Sequence, residues 1–319
     1  MKNTDKNTTA ILCEVGDLIM EKNTNTTNSP LVSICIPVFN EEKDIERTIT
    51  NVLTQTYDNF EVVISDNAST DQTGKICKEL AEKDSRVKYF RSSETCNQNE
   101  NFNRVFKFSK GQFTLWLGGH DWLDEHYIKQ CIAKFEENPE YVLVTTYKKH
   151  IDDDGAEHYE EYKGTRLDSK SPYKRFSRML WFLTQSYLYI GPVCSMMRRS
   201  ALEKTSIIKN ILFGDRIISL EMSLLGPWGH VPKCLHYRKN PTFTTSKQYI
   251  KNYGLEQSPF LCKVRMCLEV TKIVWRKDFL KFHEKLFCTL ALIRYYFRYH
   301  FTRTISKFEN TFKIGNYSD

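Results

Sequence analysis

Residues 31–55 read LVSICIPVFNEEKDIERTITNVLTQ. The apolar run from Leu31 breaks at Pro37, the pattern of a strand buried on both faces that ends in a loop. Acidic residues follow, and then Ile45, Ile49, Val52 and Leu53 recur at helical spacing. The alternation repeats outward. FEVVISDNAST (60–70) is a second buried strand stopping at Asp66, and DQTGKICKELAEKD (71–84) a helix. RVKYFRSS (86–93) is a strand, NENFNRVFKFSKG (99–111) a helix, and QFTLWLGG (112–119) a strand. DEHYIKQCIAKFEENP (124–139) is a helix and YVLVTTYKKH (141–150) a fifth strand. A βαβ series with short links predicts an α/β fold: a doubly wound, mostly parallel, Rossmann-like sheet with helices on both faces. Ligands bind such sheets at the carboxyl ends of the strands. The polar clusters Pro37–Glu41, Asp66–Asp71 and Gly118–Asp121 should therefore meet in one crevice.

Beyond residue 150 the regularity fades. HIDDDGAEHYEEY predicts a hairpin turning at Asp154-Gly155, and SPYKRFSRMLWFLTQSYLY (171–189) a helix. GPVCSMMRR (191–199) reads as a short strand, LFGDRIISLEMSLLGPWG (212–229) as a helix, and HVPKCLHYRKN (230–240) as a last strand. Residues 1–30, rich in Asn, Thr and Lys, hold no apolar run of signal-peptide length and read as a mobile arm. No stretch reaches the roughly 18 apolar residues that span a bilayer. Ten cysteines are scattered without a CxxC pair, which suits buried, reduced thiols in a cytoplasmic protein. The net charge of +7 resides in the tail: from Lys251 onward 13 Lys/Arg face 6 Asp/Glu, so the first 250 residues balance. Such an excess calls for a partner or a surface. No recognised nucleic-acid motif accompanies it.

Four stretches, SICIPVFNEEKDI, VVISDNASTDQT, NFNRVFKFSKGQFTLWLGGHDWLDEHYI and FGDRIISLEMSLLGPWGHVPKCLHYR, occur in an order and spacing that resemble a family 2 glycosyltransferase of the GT-A fold. The resemblance spans roughly residues 31–240. It implies a GT-A domain over 31–244, with a nucleotide-sugar half (31–150) and an acceptor half (151–244), followed by a helical, basic region (245–319). It further implies inverting transfer of a sugar from a nucleotide-sugar, expected to be a UDP-sugar, to a glycan or lipid-linked acceptor. Such chemistry needs the leaving diphosphate neutralised, commonly by Mn²⁺ or Mg²⁺ on one or two carboxylates. It also needs a general base for the acceptor hydroxyl.

Carried onto this chain, the resemblance assigns Phe39 to stacking on the base, or to capping the sheet. Pro37 would touch the base through its backbone, and Glu41 would reach the donor or stand as a solvated helix-start acid. Asp66 would contact the base, or form an Asx-turn, with Ser69 or Asp71 as cap. Asn101 would lie near the donor, or act as an N-cap. Where the family often has two adjacent carboxylates, this chain has His120-Asp121. Asp121 would hold the metal, with His120 either contacting a phosphate or serving as a ligand that favours Mn²⁺. A third reading is a degenerate site, which would leave a nucleotide-sugar-binding or scaffold protein. Gly118 and Gly119 permit close backbone approach, and Asp124, Glu125 and His126 read as a helix start. Asp215 matches the catalytic aspartate, or is an N-cap carboxylate. Arg198 and Arg199 would meet a pyrophosphate or solvent. HYRKN (236–240) departs from the arginine-x-histidine often found there; Tyr237 and Arg238 keep part of it, but the loss of the histidine weakens the case for a late phosphate or metal contact. In LFCTLALIRYYFRYHFTRTISKF, Arg294, Arg298 and Arg303 interleave with aromatics. That pattern suits a helix on an anionic membrane surface, at the cytoplasmic face, or one packed on the domain.

Overall fold

The computed structural model describes residues 29–152, 155–160, 167–184, 192–239 and 259–314. The residues from Leu31 onward form one compact unit. The predicted alternation is present. Strands β1 (Val32–Val38), β2 (Phe60–Asp66), β3 (Val87–Arg91) and β4 (Phe113–Trp116) alternate with helices α1 (Ile45–Leu53), α2 (Thr73–Lys83) and α3 (Gln98–Phe108). β1 pairs in parallel with both β2 and β4, and β2 with β3. The two-residue β5 (Trp122–Leu123) and α4 (Tyr127–Glu137) precede β6 (Leu143–Ile151) and β7 (Glu157–Glu160).

Helix α5 (Pro172–Phe182) is capped by Ser171, whose hydroxyl accepts from Lys174 N, with Pro172 in its first turn. Then come β8 (Met196–Arg198), the single turn α6 (Arg199–Leu202), α7 (Gly214–Leu225) and β9 (Trp228–Lys239). The long helices α8 (Pro259–Arg276) and α9 (Phe282–Ile314) close the chain.

Strand order is β3-β2-β1-β4-β8-β6-β9-β5, with β7 against β6. The fifth predicted strand, β6, is not beside β4. The short β8 runs antiparallel to both and separates them. Sequence order alone could not reveal this insertion, because β8 arrives some fifty residues after β6. The predicted hairpin exists: Ile151 opposes Glu157, and Asp152 N donates to Ala156 O. Gly155 takes φ 84, the left-handed conformation that favours glycine there. Asp154 lies outside the described residues, as do 185–189, the end of the helix predicted over 171–189.

Alternation along β1 sorts the core into two layers. Val32, Ile34 and Ile36 face one side, with Ile45, Ile49 and Val52 of α1, Cys77 and Leu80 of α2, and Ile128 and Ile132 of α4. Cys35, Val63 and Trp116 face the other, with Val105 and Phe106 of α3, Phe176 of α5, Ile217 and Met222 of α7, Met266 of α8 and Leu292 of α9. Helices thus cover both faces, as the doubly wound pattern requires.

Candidate active site at the carboxyl ends of β1 and β4

A cavity of about 280 Å³ opens where β1 and β4 end. Pro37, Glu41, Gly118, Gly119, His120, Asp121 and Arg238 line it, and so does Asp215. Five residues to which the resemblance gave site roles (Pro37, Glu41, His120, Asp121 and Asp215) therefore share one space.

The glycines explain how the backbone comes so close. A Cβ on Gly118 would sit 2.9 Å from Asp121 Oδ2, and one on Gly119 would sit 2.9 Å from Glu41 Cγ. Asp121 N donates to Gly118 O, and Thr48 Oγ1 donates to Gly119 O. The corner is thus folded back under Asp121 and tied to α1. Arg47 of α1 donates to His120 O and lies over the Trp122 ring, which stacks on Tyr237 of β9.

Asp121 is fully buried, and neither carboxylate oxygen has a hydrogen-bond partner. Arg238 Nε lies 3.4 Å and His236 Nε2 3.6 Å from Oδ2, and His120 Nε2 lies 3.8 Å from Oδ1. Burial opposes ionisation, but the permanent charge of Arg238 foremost, with His120, outweighs it and holds the carboxyl well below its usual range. His236 is buried, and its Nδ1 lies 3.2 Å from Cys194 O. A carbonyl only accepts, so Nδ1 carries the proton and Nε2 presents its lone pair. Burial above all holds the pKa of His236 below its ordinary 6.5, against the pull of Asp121. A carboxylate and an imidazole lone pair therefore face each other beyond hydrogen-bond reach, as two ligands of one cation would. Among the described residues no three acidic, histidine or cysteine side chains form a metal cage. A two-ligand site fits a cation whose other ligands are diphosphate oxygens.

His120 is turned mainly to another partner, with Nδ1 3.0 Å from Glu41 Oε1. Burial lowers its pKa, but Glu41 and Asp121 together raise it above 6.5. It thus stands between two acids, hydrogen-bonded to Glu41 and 3.8 Å from Asp121. The sequence reading overlooked His236 because the order on β9 is histidine-x-arginine. His236 and Arg238 are two apart on a strand, so both side chains reach the same face, and that parity was the available signal.

Asp215 occupies the first turn of α7, whose N-cap is Phe213 at φ 70. The carboxylate is therefore not the cap. A non-glycine residue held in the left-handed region beside a cavity is strain of the kind that positions site groups. Gly214 is required sterically, since its Cβ would meet Lys209 O at 2.2 Å.

The remaining candidates are spent on the loops around the cavity. Asp66 is fully buried: Oδ1 accepts from Ser69 N in an Asx-turn, and Oδ2 accepts from Tyr89 Oη and Arg91 Nη1. Asp71 Oδ1 accepts from Thr73 N at the start of α2. Asn101 is not a cap. That role belongs to Asn97, which accepts from Asn99 N. Asn101 Oδ1 accepts from Ser65 Oγ and Arg104 Nη2, and its Nδ2 donates to Ser65 O. Phe39 is 47% exposed and is not part of the cavity wall. Arg198 and Arg199 do not meet a phosphate site. They lie at the opposite end of β4, where Arg198 donates to Tyr141 O and Arg199 to Gly111 O.

The profile of glycosyl transferase family 2 matches residues 33–206, more than half of the chain. The chain belongs to this family. Among curated relatives, chondroitin synthase of Escherichia coli is 26% identical over 217 residues, 66% of this chain and 29% of that protein. Glycosyltransferase GlyA of Streptococcus pneumoniae is 27% identical over 124 residues, 39% of this chain and 18% of that protein. The chain thus spans under half the length of these relatives. A crystal structure of S. aureus TarS 1-349 in complex with UDP-GlcNAc superposes with a TM-score of 0.65 at 17% identity. It covers 85% of this chain and 73% of that one. At that identity the likeness shows the fold, and the GT-A architecture expected from the sequence is present.

Proposed function

We propose that the chain transfers a sugar from a nucleotide-sugar, a UDP-sugar, to a hydroxyl of a glycan or lipid-linked acceptor, with inversion. The carrying observation is that Asp121, ionised, buried and without a hydrogen bond, lines the same cavity as Asp215. Family membership and the fold shared with a UDP-GlcNAc-bound protein support the donor class.

In this reading Asp121 and His236 would hold a divalent cation, Mn²⁺ or Mg²⁺, with His120 beside them. Bound there, it would neutralise charge on the leaving diphosphate. Arg238, lining the same cavity, adds a permanent positive charge for the same oxygens. The Glu41–His120 pair fixes the corner and offers a donor to phosphate when His120 is protonated. Asp215 accepts the acceptor hydroxyl proton as the new C–O bond forms at the anomeric carbon. The bond to the diphosphate breaks on the opposite side, and the nucleotide leaves with that electron pair. Pro37 and the exposed ring of Phe39 receive the base, while Asp66 and Asn101 shape that end of the crevice through their loops.

The test is UDP release from a panel of UDP-sugars with mixed acceptors. Asp215→Asn should lower turnover about 10²–10⁴-fold, the usual contribution of a general base, while leaving UDP affinity within about twofold. Unchanged turnover in the variant would remove Asp215 from this role.

A further inference from the structure

Helices α8 and α9 are apolar on two sides. Their inner sides are core: Met266, Val270 and Val274 of α8 and Cys288, Leu292 and Tyr295 of α9 are buried with α5 and α7. Their outer sides are apolar as well. On α8, Leu261, Leu268 and Trp275 are exposed and spaced by seven. On α9, Phe282, Leu286, Leu290, Ile293 and Phe297 are exposed at spacings of four, four, three and four, which is one helical stripe. Phe282 is 71% and Phe297 65% exposed. The two stripes join into one surface. The Trp275 ring meets Phe282 edge-on at 5.8 Å, and its Nε1 donates to Thr289. A groove of about 310 Å³ between them is lined by Val264, Leu268, Ile293 and Phe297, among others. Patches of this kind mark interaction sites.

The charges select the partner. Between residues 259 and 298 there are nine Lys/Arg and three Asp/Glu. Arg265 and Lys272 each stand four residues after a stripe residue of α8, and Arg276 follows Trp275. Arg294 and Arg298 directly follow Ile293 and Phe297. All five are exposed, and each lies within one helical turn of a stripe residue along its own helix. A second copy docked face to face would bring these like charges together. A negatively charged lipid surface would pair with them while burying the apolar stripes. No helix among the described residues is long and apolar enough to cross a membrane, so the contact is a surface contact.

We propose that the outer face of the α8–α9 hairpin docks on an anionic lipid bilayer. The proposal uses none of the residues of the donor site. Because the inner face of the hairpin packs on α7, which carries Asp215, docking fixes the cavity relative to the membrane, where a lipid-linked acceptor would present its hydroxyl.

The experiment is co-sedimentation of the full chain with vesicles of phosphatidylcholine alone, or with added phosphatidylglycerol. UDP binding and circular dichroism are measured on the same samples. Affinity for the anionic vesicles should be at least tenfold higher and should fall at high salt. Trp275 emission should shift to the blue on binding. The double variant Ile293→Glu/Phe297→Glu should lose vesicle binding, and Arg294→Glu/Arg298→Glu should weaken it at least tenfold. Both change exposed positions, and both should keep UDP affinity. Anionic binding that survives both variants, or no binding by the folded wild type, overturns the proposal. So does a dimer in ultracentrifugation that the same substitutions dissociate. Loss of UDP binding alone would instead count against the donor site.

Discussion

At the scale of single residues, the site is a set of charges held in unusual states. Asp121 stays ionised in the interior because Arg238 foremost, with His120, lies beside it. Its carboxyl is held below the ordinary 3.8, so the stability it contributes is present above that pH and is lost as pH falls below it. Asp121→Asn should therefore cost about 1–3 kcal/mol at neutral pH, and its denaturant midpoint should fall less steeply than the wild type's below pH 3.8. His120 has the opposite sign. Its raised pKa means that its pairing with Glu41 and Asp121 is complete below 6.5 and is lost as pH climbs through the folded value. The stability difference between wild type and His120→Gln should thus be about 0.5–1 kcal/mol in mild acid and should vanish in alkali, as read by thermal melts across pH. The sequence pointed to Asp121 and His120 because a carboxylate after two glycines at a strand end is a local signal. For His236 the only signal was its two-residue parity with Arg238 on β9. It reaches Asp121 from a strand more than a hundred residues away, and only the pairing of β5 with β9, Trp122 opposite Tyr237, brings the two together.

At the scale of elements, the sheet strands and flanking helices of the first half were legible from periodicity, since each carries its own apolar pattern. What periodicity missed were short elements stabilised by tertiary context. β5 has two residues and β8 three, too few to show a period. The turn into α7 is another such place. Nothing local announces that Phe213 adopts φ 70 or that Gly214 abuts Lys209 O. Gly214→Ala, by forcing that carbonyl away, should destabilise the fold by about 1–3 kcal/mol and also abolish turnover, because Asp215 moves with the turn. Thermal melts and UDP-release assays read the two effects. An alanine variant with wild-type stability would mean that the turn is more yielding than its geometry indicates.

At the scale of the whole molecule, the helical tail is part of the core. Met266, Val270 and Val274 share one buried cluster with Trp116 of β4 and Ile217 of α7. Met266→Ala should cost about 2–5 kcal/mol, and it should lower the midpoint of one cooperative transition seen equally by near- and far-ultraviolet circular dichroism. A separate early melting of α8 and α9 would contradict this packing. The sequence showed the tail to be basic and helical, but it could not separate a core-facing stripe from an outward one, because both are apolar. The structure assigns Cys288, Leu292 and Tyr295 to the inside and Phe282, Ile293 and Phe297 to the outside.

The central claim is that Asp121 and His236 together form the cation and diphosphate end of a donor site. Calorimetric titration of UDP into the full chain tests it most directly, with Mn²⁺, with Mg²⁺ and with chelator, on wild type, Asp121→Ala and His236→Ala. Binding should require the cation, be lost in Asp121→Ala and be weakened at least tenfold in His236→Ala. UDP binding that persists in chelator, or that both variants retain at wild-type affinity, would contradict it.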